Sequence, residues 1–569
     1  MRDELTRAQP SQRADADVNF RSAGSVLLVA VVFVLVSGSM VADRLGAPSE
    51  LVAKLTLMLA VGGLTAAGFA ARSMKPSAFF AVGRNLSATA VLALMVTTMM
   101  SLGAVRATAT GVLDLAMVSA ACAGVLLFSA TAAGPLRRLG GYTFADAIAA
   151  RFGSRLLTAI AGILSFCMLG GLAVWLAPAT LRGVQMAGNL KPEWASLTVL
   201  TLCASVIVPG GLAGVAAAAL LSSALIVGAW ASPILPAMFA DSSTRTHWLE
   251  HAGTAFTSGS AAGADWPLLA LAAAGLFTVL NLSGTVRSQK ASTQVGCFAV
   301  MAVIAISFAG VFAHEVERQR VAMIESASVQ TMPPIVFTDR FRGLVRICGS
   351  EPTTPDDLKR ICARAGHSEG LPRSAVQIDK RGGHWYATIL AIPSAAGEAF
   401  ALAAPLALLV GLALACHAAA ASLTHDLLRR FVLPPATAGG DLAVQRMAAL
   451  LVLAAALYGP GYVPTVDPRL VSLLLFAAAC CPLPLVVLAR WRRADWRAAL
   501  CGLASTLLAG AAVWTGVLEG PSGVLAGIAC SLCAGAFAAA VFPASKAQEH
   551  VLAVIEGAAP GPLILDRSA

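Results

Sequence analysis

His417 is the main titratable side chain inside the apolar runs of this chain. It interrupts the stretch Ala399–Ala421, which otherwise holds apolar and small residues and Cys416. A histidine there can carry a proton near neutral pH, or sit neutral against a neighbouring backbone carbonyl. Arg106 is a cation near the end of another apolar run. It can snorkel to lipid headgroups or bind an organic anion at the mouth of a pathway. Thr97, Thr98, Ser101, Thr278, Asn281 and Ser283 put hydrogen-bonding groups into apolar segments. Such groups line polar routes, join helices, or bond back to their own carbonyls. No Asp or Glu falls deep in any apolar run, which argues against a carboxylate relay. No nucleophile–base set and no metal-spaced His/Glu cluster is found, so no enzyme is read, no cofactor is expected and no metal ligand is assigned.

The elements that position these residues are membrane helices. The chain is 57% hydrophobic and 12% charged, and apolar segments of about 20 residues recur along it. About fourteen spans are predicted: 24–42, 51–71, 87–112, 115–134, 156–178, 195–209, 212–239, 266–286, 295–313, 398–424, 443–462, 470–489, 498–517 and 522–542. The net charge of +10 comes from arginines in short loops, as membrane topology requires, and not from a nucleic-acid surface. Alternate loops are rich in arginine, including Arg137, Arg138, Arg151 and Arg155, then Arg429, Arg430 and Arg446. That set is read as cytoplasmic, which puts both termini, 1–21 and 543–569, inside.

Residues 314–397 form the one large loop, on the outer face by this topology, and are read as a small external subdomain. Outside a bacterial inner membrane the compartment is oxidising. A Cys348–Cys362 disulfide would close a loop of about 15 residues, worth roughly 3 kcal/mol; the alternative is two free thiols. Cys530 and Cys533 form a CxxC within an apolar run and are read as helix-packing residues.

Four short motifs carry a family resemblance. They are Phe79-Phe80-Ala81-Val82-Gly83-Arg84, Gly140-Gly141-Tyr142-Thr143-Phe144-Ala145-Asp146, Pro209-Gly210-Gly211 and Thr424-His425-Asp426-Leu427. In order and spacing the chain resembles the solute:sodium symporters, in their cation/acetate branch. The resemblance implies an all-α membrane protein with a five-plus-five inverted-repeat transporter core. Two accessory spans (22–86) would precede a first repeat (87–239) and a second (266–489), and two further spans (490–542) would follow. It implies a substrate site near the midplane, where the first helix of each repeat breaks; Gly103 and Gly275 permit such breaks. By fold position Thr97, Thr98, Ser101, Arg106, Thr278, Asn281 and Ser283 are the substrate-site candidates.

The same resemblance places sodium between backbone carbonyls around Thr97 and Met100 and a hydroxyl pair that falls on Val410-Gly411. Those two residues carry no side-chain oxygen, and a second hydroxyl position falls on Ala420-Ala421. Other polar family positions fall on Val91-Leu92, Thr98-Met99, Val279-Leu280-Asn281 and Ala213. Two readings follow. One is a multi-pass secondary transporter of the bacterial inner membrane, moving a small organic anion of the acetate or monocarboxylate kind. Its coupling ion would be sodium at this altered site or a proton at His417. The other is a transport-inactive sensor or scaffold whose working part is the external subdomain.

Overall fold

In lipid every backbone N–H and C=O must find a partner within the chain, so apolar segments become helices. The computed structural model describes residues 49–82, 86–110, 115–139, 141–188, 190–231, 266–280, 294–307, 345–350, 354–366, 375–378, 402–432, 438–459, 468–517 and 520–542, with a few single positions elsewhere. Among these, eight helices are long and apolar enough to cross a membrane, or nine if one bent pair counts as a span. The chain is a multi-pass helical membrane protein.

Helix α1 (Ser49–Ala70) and the short α2 (Pro76–Ala81) lead into α3 (Ala88–Thr110). Helices α4 (Leu115–Thr131) and α5 (Ala133–Leu139) meet at a 50° bend. Thr143 caps α6 (Phe144–Phe152) by accepting the Asp146 N–H, and Gly153 ends it in the left-handed conformation. Then come α7 (Arg155–Gly188), α8 (Pro192–Ala231), α9 (Trp266–Leu280) and α10 (Gln294–Ser307). Further along the chain, α12 (Ala403–Ala421) passes without a break into a π-helical stretch, Ser422–Val432. Helices α13 (Ala438–Tyr458), α14 (Pro468–Cys480), α15 (Pro482–Arg490), α16 (Trp496–Trp514) and α17 (Gly520–Val541) complete the chain.

The core is built around α12. It is apolar on every side, and a helix of that kind is stable only when it is surrounded. Helices α3, α7, α8 and α13 enclose it, and Ala418 is its one residue that is not fully buried.

Four expectations need correction. The helix expected at 156–178 continues through Pro178 to Gly188; neighbouring helices in a membrane protein compensate the bond that proline loses. The run expected to end at 424 stays helical to Val432, so Arg429 and Arg430 lie on the helix and not beyond it. Helices α3 and α9 pass through Gly103 and Gly275 without interruption. Finally, Asp426 is a carboxylate within a span-length helix and is fully buried. The predicted turn at Pro209-Gly210-Gly211 takes an unusual form: α8 kinks at Gly211, whose φ of 55° and ψ of −136° suit only glycine. A Cβ at Gly214 would strike the Val206 carbonyl, yet a straight helix would hold those residues about 12 Å apart. Helix α8 is therefore two arms folded at Gly211. The span expected at 24–42, Gly83, Arg84 and most of both termini lie outside the described residues.

The segment between α10 and α12 contains a small folded unit. Strand β1 (Val345–Ile347) pairs antiparallel with β2 (Val376–Ile378), with Ile347 opposite Val376. Helix α11 (Pro355–Arg364) starts at Thr354, whose hydroxyl accepts the Asp357 N–H at 3.1 Å. Pro355 in the first turn, with Asp356 and Asp357, favours that start. Ile347, Leu358, Cys362 and Val376 are its buried side chains. A disulfide joins Cys348 to Cys362 with their Cα atoms 5.3 Å apart, and Cys530 and Cys533 are free thiols.

Candidate functional site

The middle of α12 faces the middle of α3, where the sequence places the sodium and substrate candidates. Thr97 Oγ1 donates to Ala93 O at 2.7 Å, Thr98 Oγ1 to Leu94 O at 2.6 Å, and Ser101 Oγ to Thr98 O at 2.8 Å. On α9, Thr278 Oγ1 donates to Ala274 O at 2.7 Å. All four hydroxyls are buried and bonded to their own helix. Val410 is fully buried, and a Cβ built at Gly411 would lie 2.8 Å from Ser101 Cβ. The two helices touch here through glycine, as small residues allow in membranes.

This arrangement does not fit a sodium ion. Helix α12 offers no side-chain oxygen at Val410 or Gly411, and the α3 carbonyls around Thr97 and Met100 belong to an unbroken helix. The Ser101 side chain packs against the face that Gly411 leaves bare. Asn281 and Ser283 lie outside the described residues, and Arg106 is placed by its backbone within α3. His417 is buried with its ring 5.5 Å from that of Phe79, and its Nδ1 has no hydrogen-bond partner among the described residues.

A second constellation forms where α12 becomes π-helical. Thr143 Oγ1 donates to Asp426 Oδ1 at 2.6 Å, and the Tyr142 N–H donates to Asp146 Oδ2 at 2.9 Å. The Arg430 guanidinium pairs with Asp146 Oδ1. His425 Nδ1 lies 3.2 Å from Asp426 Oδ1 and 3.7 Å from Asp146 Oδ2. Edge-on rings of Phe80 and Tyr142 flank the imidazole, at 5.8 and 5.5 Å between centroids. Asp146 and Asp426 are 3% and 0% exposed, while the His425 side chain is 20% exposed. Asp426 Oδ2 has no hydrogen-bond partner among the described residues.

The π-helical pitch brings these groups together. Such stretches are rare, and they displace side chains and carbonyls from the α-helical register. Gln445 of α13, fully buried, meets the displaced groups. Its amide donates to Thr424 Oγ1 and to Ala420 O (3.0 Å), and accepts from the Ala421 N–H (3.0 Å). Arg429 pairs with Asp441 on the same side of α13.

Asp146, His425 and Asp426 bring ligand-type atoms within 4.8 Å of one another. Arg430 and Thr143 already engage the two carboxylates, so the set is a hydrogen-bonded charge cluster and not a cation cage. In the sequence each of these residues stands in a short motif or among the loop arginines, and none of them was a site candidate. The signal that was available is Thr424-His425-Asp426 followed, after two leucines, by Arg429 and Arg430, matched by Tyr142-Thr143 and Asp146 in a distant loop.

Arg151, counted among the loop arginines, is buried. Its Nε donates to Ala489 O at 2.8 Å and its Nη2 to Trp491 O (3.2 Å) and Ala494 O (3.0 Å). Burial lowers its pKa to about 10, against the opposing pull of Asp495, so it stays charged at neutral pH.

No protein-family model and no curated protein matches the chain. Solved structures do. A Na+-coupled sialic acid symporter, in a substrate-bound outward-open state, aligns with a TM-score of 0.60 at 14% identity, covering 86% of this chain and 98% of that one. The nucleobase-cation-symport transporter Mhp1 aligns with a TM-score of 0.39 at 15% identity, covering 86% and 98%. A manganese transporter of Eremococcus coleocola aligns with a TM-score of 0.36 at 12% identity, covering 83% and 91%. This chain has the fold of that sialic acid symporter.

Proposed function

We propose that this protein is a secondary transporter of a bacterial inner membrane, working by alternating access on a small organic anion of the monocarboxylate class. About fourteen spans would hold a five-plus-five repeat core, with both termini cytoplasmic and the disulfide-bonded unit outside. The observation that carries this reading is the fold, which aligns over 98% of the sialic acid symporter. The coupling ion is a proton and not sodium, because α12 lacks oxygen at Val410 and Gly411 and packs directly on Ser101. The test is uptake of labelled acetate and other small acids into proteoliposomes, with sodium and proton gradients imposed separately. Uptake driven by a proton gradient, and indifferent to sodium, is the expected result. Sodium-driven uptake would overturn the ligand argument.

One observation favours a second reading, a transport-inactive sensor or scaffold. Met95, Met99 and Met100 of α3 and Leu408, Leu409 and Val410 of α12 are all fully buried, in helix segments where a solute route would need polar groups. Folded protein that moves no small acid under either gradient would select this reading.

A further inference from the structure

We infer that Asp146, His425 and Asp426 form a proton-binding latch that ties the α6 segment to the π-helical end of α12. The inference rests on the transporter reading for its role and on the cluster alone for its existence. Two buried carboxylates face one imidazole nitrogen, and both Oδ atoms near Nδ1 are acceptors, so Nδ1 carries a hydrogen and donates. Arg430 balances one carboxylate. With His425 neutral, one negative charge remains buried and unbalanced, and Asp426 Oδ2 lacks a partner among the described residues. A buried charge must be paired or neutralised. One proton on His425 Nε2, taken from water at the partly exposed ring, brings the cluster to neutrality. A divalent ion would leave it one charge positive beside Arg430, so the proton is the better-matched cation.

Among the described residues, the charged groups beside the cluster are otherwise committed. On the π-helical stretch itself, Arg429 pairs with Asp441 of α13. Gln445 of α13 also meets the stretch and is uncharged, and Arg446 of α13 reaches Ser73 O and the Phe79 ring instead. Helix α7 presents Gly162 to Asp426 and Leu427. Helix α2 presents Phe80, and the loop before α6 presents Tyr142 and Thr143. When the proton leaves, Asp146 and Asp426 repel each other across the contact between Tyr142–Phe152 and Ser422–Val432, and that contact opens. Proton binding at one end of α12 thereby replaces the sodium that the middle of the helix cannot hold.

Hydrogen–deuterium exchange on the full chain in lipid nanodiscs tests this without any transported solute. It would run between about pH 5.5 and 8.5, the range in which a histidine charges, corrected for intrinsic exchange. Protection of residues 142–152 and 422–432 is expected to fall about tenfold as pH rises, one decade in the opening equilibrium. H425Q should abolish the pH dependence, and D426N, which removes the surplus charge, should keep the segments protected throughout. If H425Q does not fold, D426N is decisive alone. An unchanged pH step in either variant, or no step in the native chain, overturns the latch. Protection restored at high pH by zinc or manganese chloride would overturn the proton in favour of a metal. A pH step in a protein that transports nothing keeps the latch and removes the transporter reading; proton-driven uptake with no step removes the latch alone.

Discussion

Arg151 shows how a side chain counted as topology turns out to be structure. Three carbonyls around the end of α15 depend on its guanidinium. R151A removes all three bonds, with Trp491 O keeping the Ala494 N–H, and is expected to cost about 3 kcal/mol, in the range for breaking buried hydrogen bonds to a charged group. A thermal-stability series in detergent would show it, and R151K should recover only part, because an ammonium cannot reproduce the fork. The pH dependence has a definite sign. The folded pKa of about 10 lies below the ordinary 12.5, so the unfolded chain binds more protons between those values and stability gains with pH only there. Between pH 6 and 9 Arg151 contributes a constant amount. Gly411 behaves differently. G411A drives a Cβ into Ser101 and should cost about 1–3 kcal/mol by overpacking, while G411A in an S101G background should lose much less. That double-mutant cycle measures the contact directly.

At the scale of elements, hydropathy predicted apolar helices where the described residues form them and missed several of their ends. Apolar length reports burial in lipid, and it says nothing of where a helix stops once protein neighbours take over from lipid. Pro178 reads as a terminator, but α7 runs ten residues past it to Gly188. Thr424-His425-Asp426 reads as the exit into water, but the polar residues there are buried by α6 and α13 instead. The disposition of the hydroxyls was legible in kind, since Thr and Ser in a span commonly bond back to their own carbonyls, and Thr97, Thr98, Ser101 and Thr278 do so. The charge cluster was not legible, because Asp146 and Asp426 lie 280 positions apart in the chain and only the fold brings them together. Gln445 gives the element-level prediction. Q445L removes the amide that meets Thr424 Oγ1, Ala420 O and the Ala421 N–H, leaving Thr424 Oγ1 only its bond to Ala420 O. A loss of about 2–3 kcal/mol is expected, with faster amide exchange confined to Ser422–Val432. A stability loss without that local signature would show that Gln445 serves packing and not the π-helical register.

For the whole molecule, orientation and the outer unit make one argument. Two three-residue strands and a ten-residue helix bury too little apolar surface to fold firmly without a covalent staple. The Cys348–Cys362 link supplies it, and it can form only where thiols oxidise. The arginine distribution predicts that this segment faces away from the arginine-rich loops, and a disulfide within it fits the same expectation. Setting Arg151 aside as a structural residue leaves that bias intact, because Arg137, Arg138 and Arg155 remain beside it. C348A/C362A should therefore weaken the outer unit by about 3 kcal/mol and leave the helical core alone. Protease added outside intact spheroplasts should cut the variant within 314–397 much faster than the native chain, with the membrane fragments otherwise unchanged. A green fluorescent protein fused after Ala569 should fluoresce, since it matures in the cytoplasm. A dark fusion with an outer segment shielded from protease would reverse the topology, and with it the oxidising environment on which the disulfide depends.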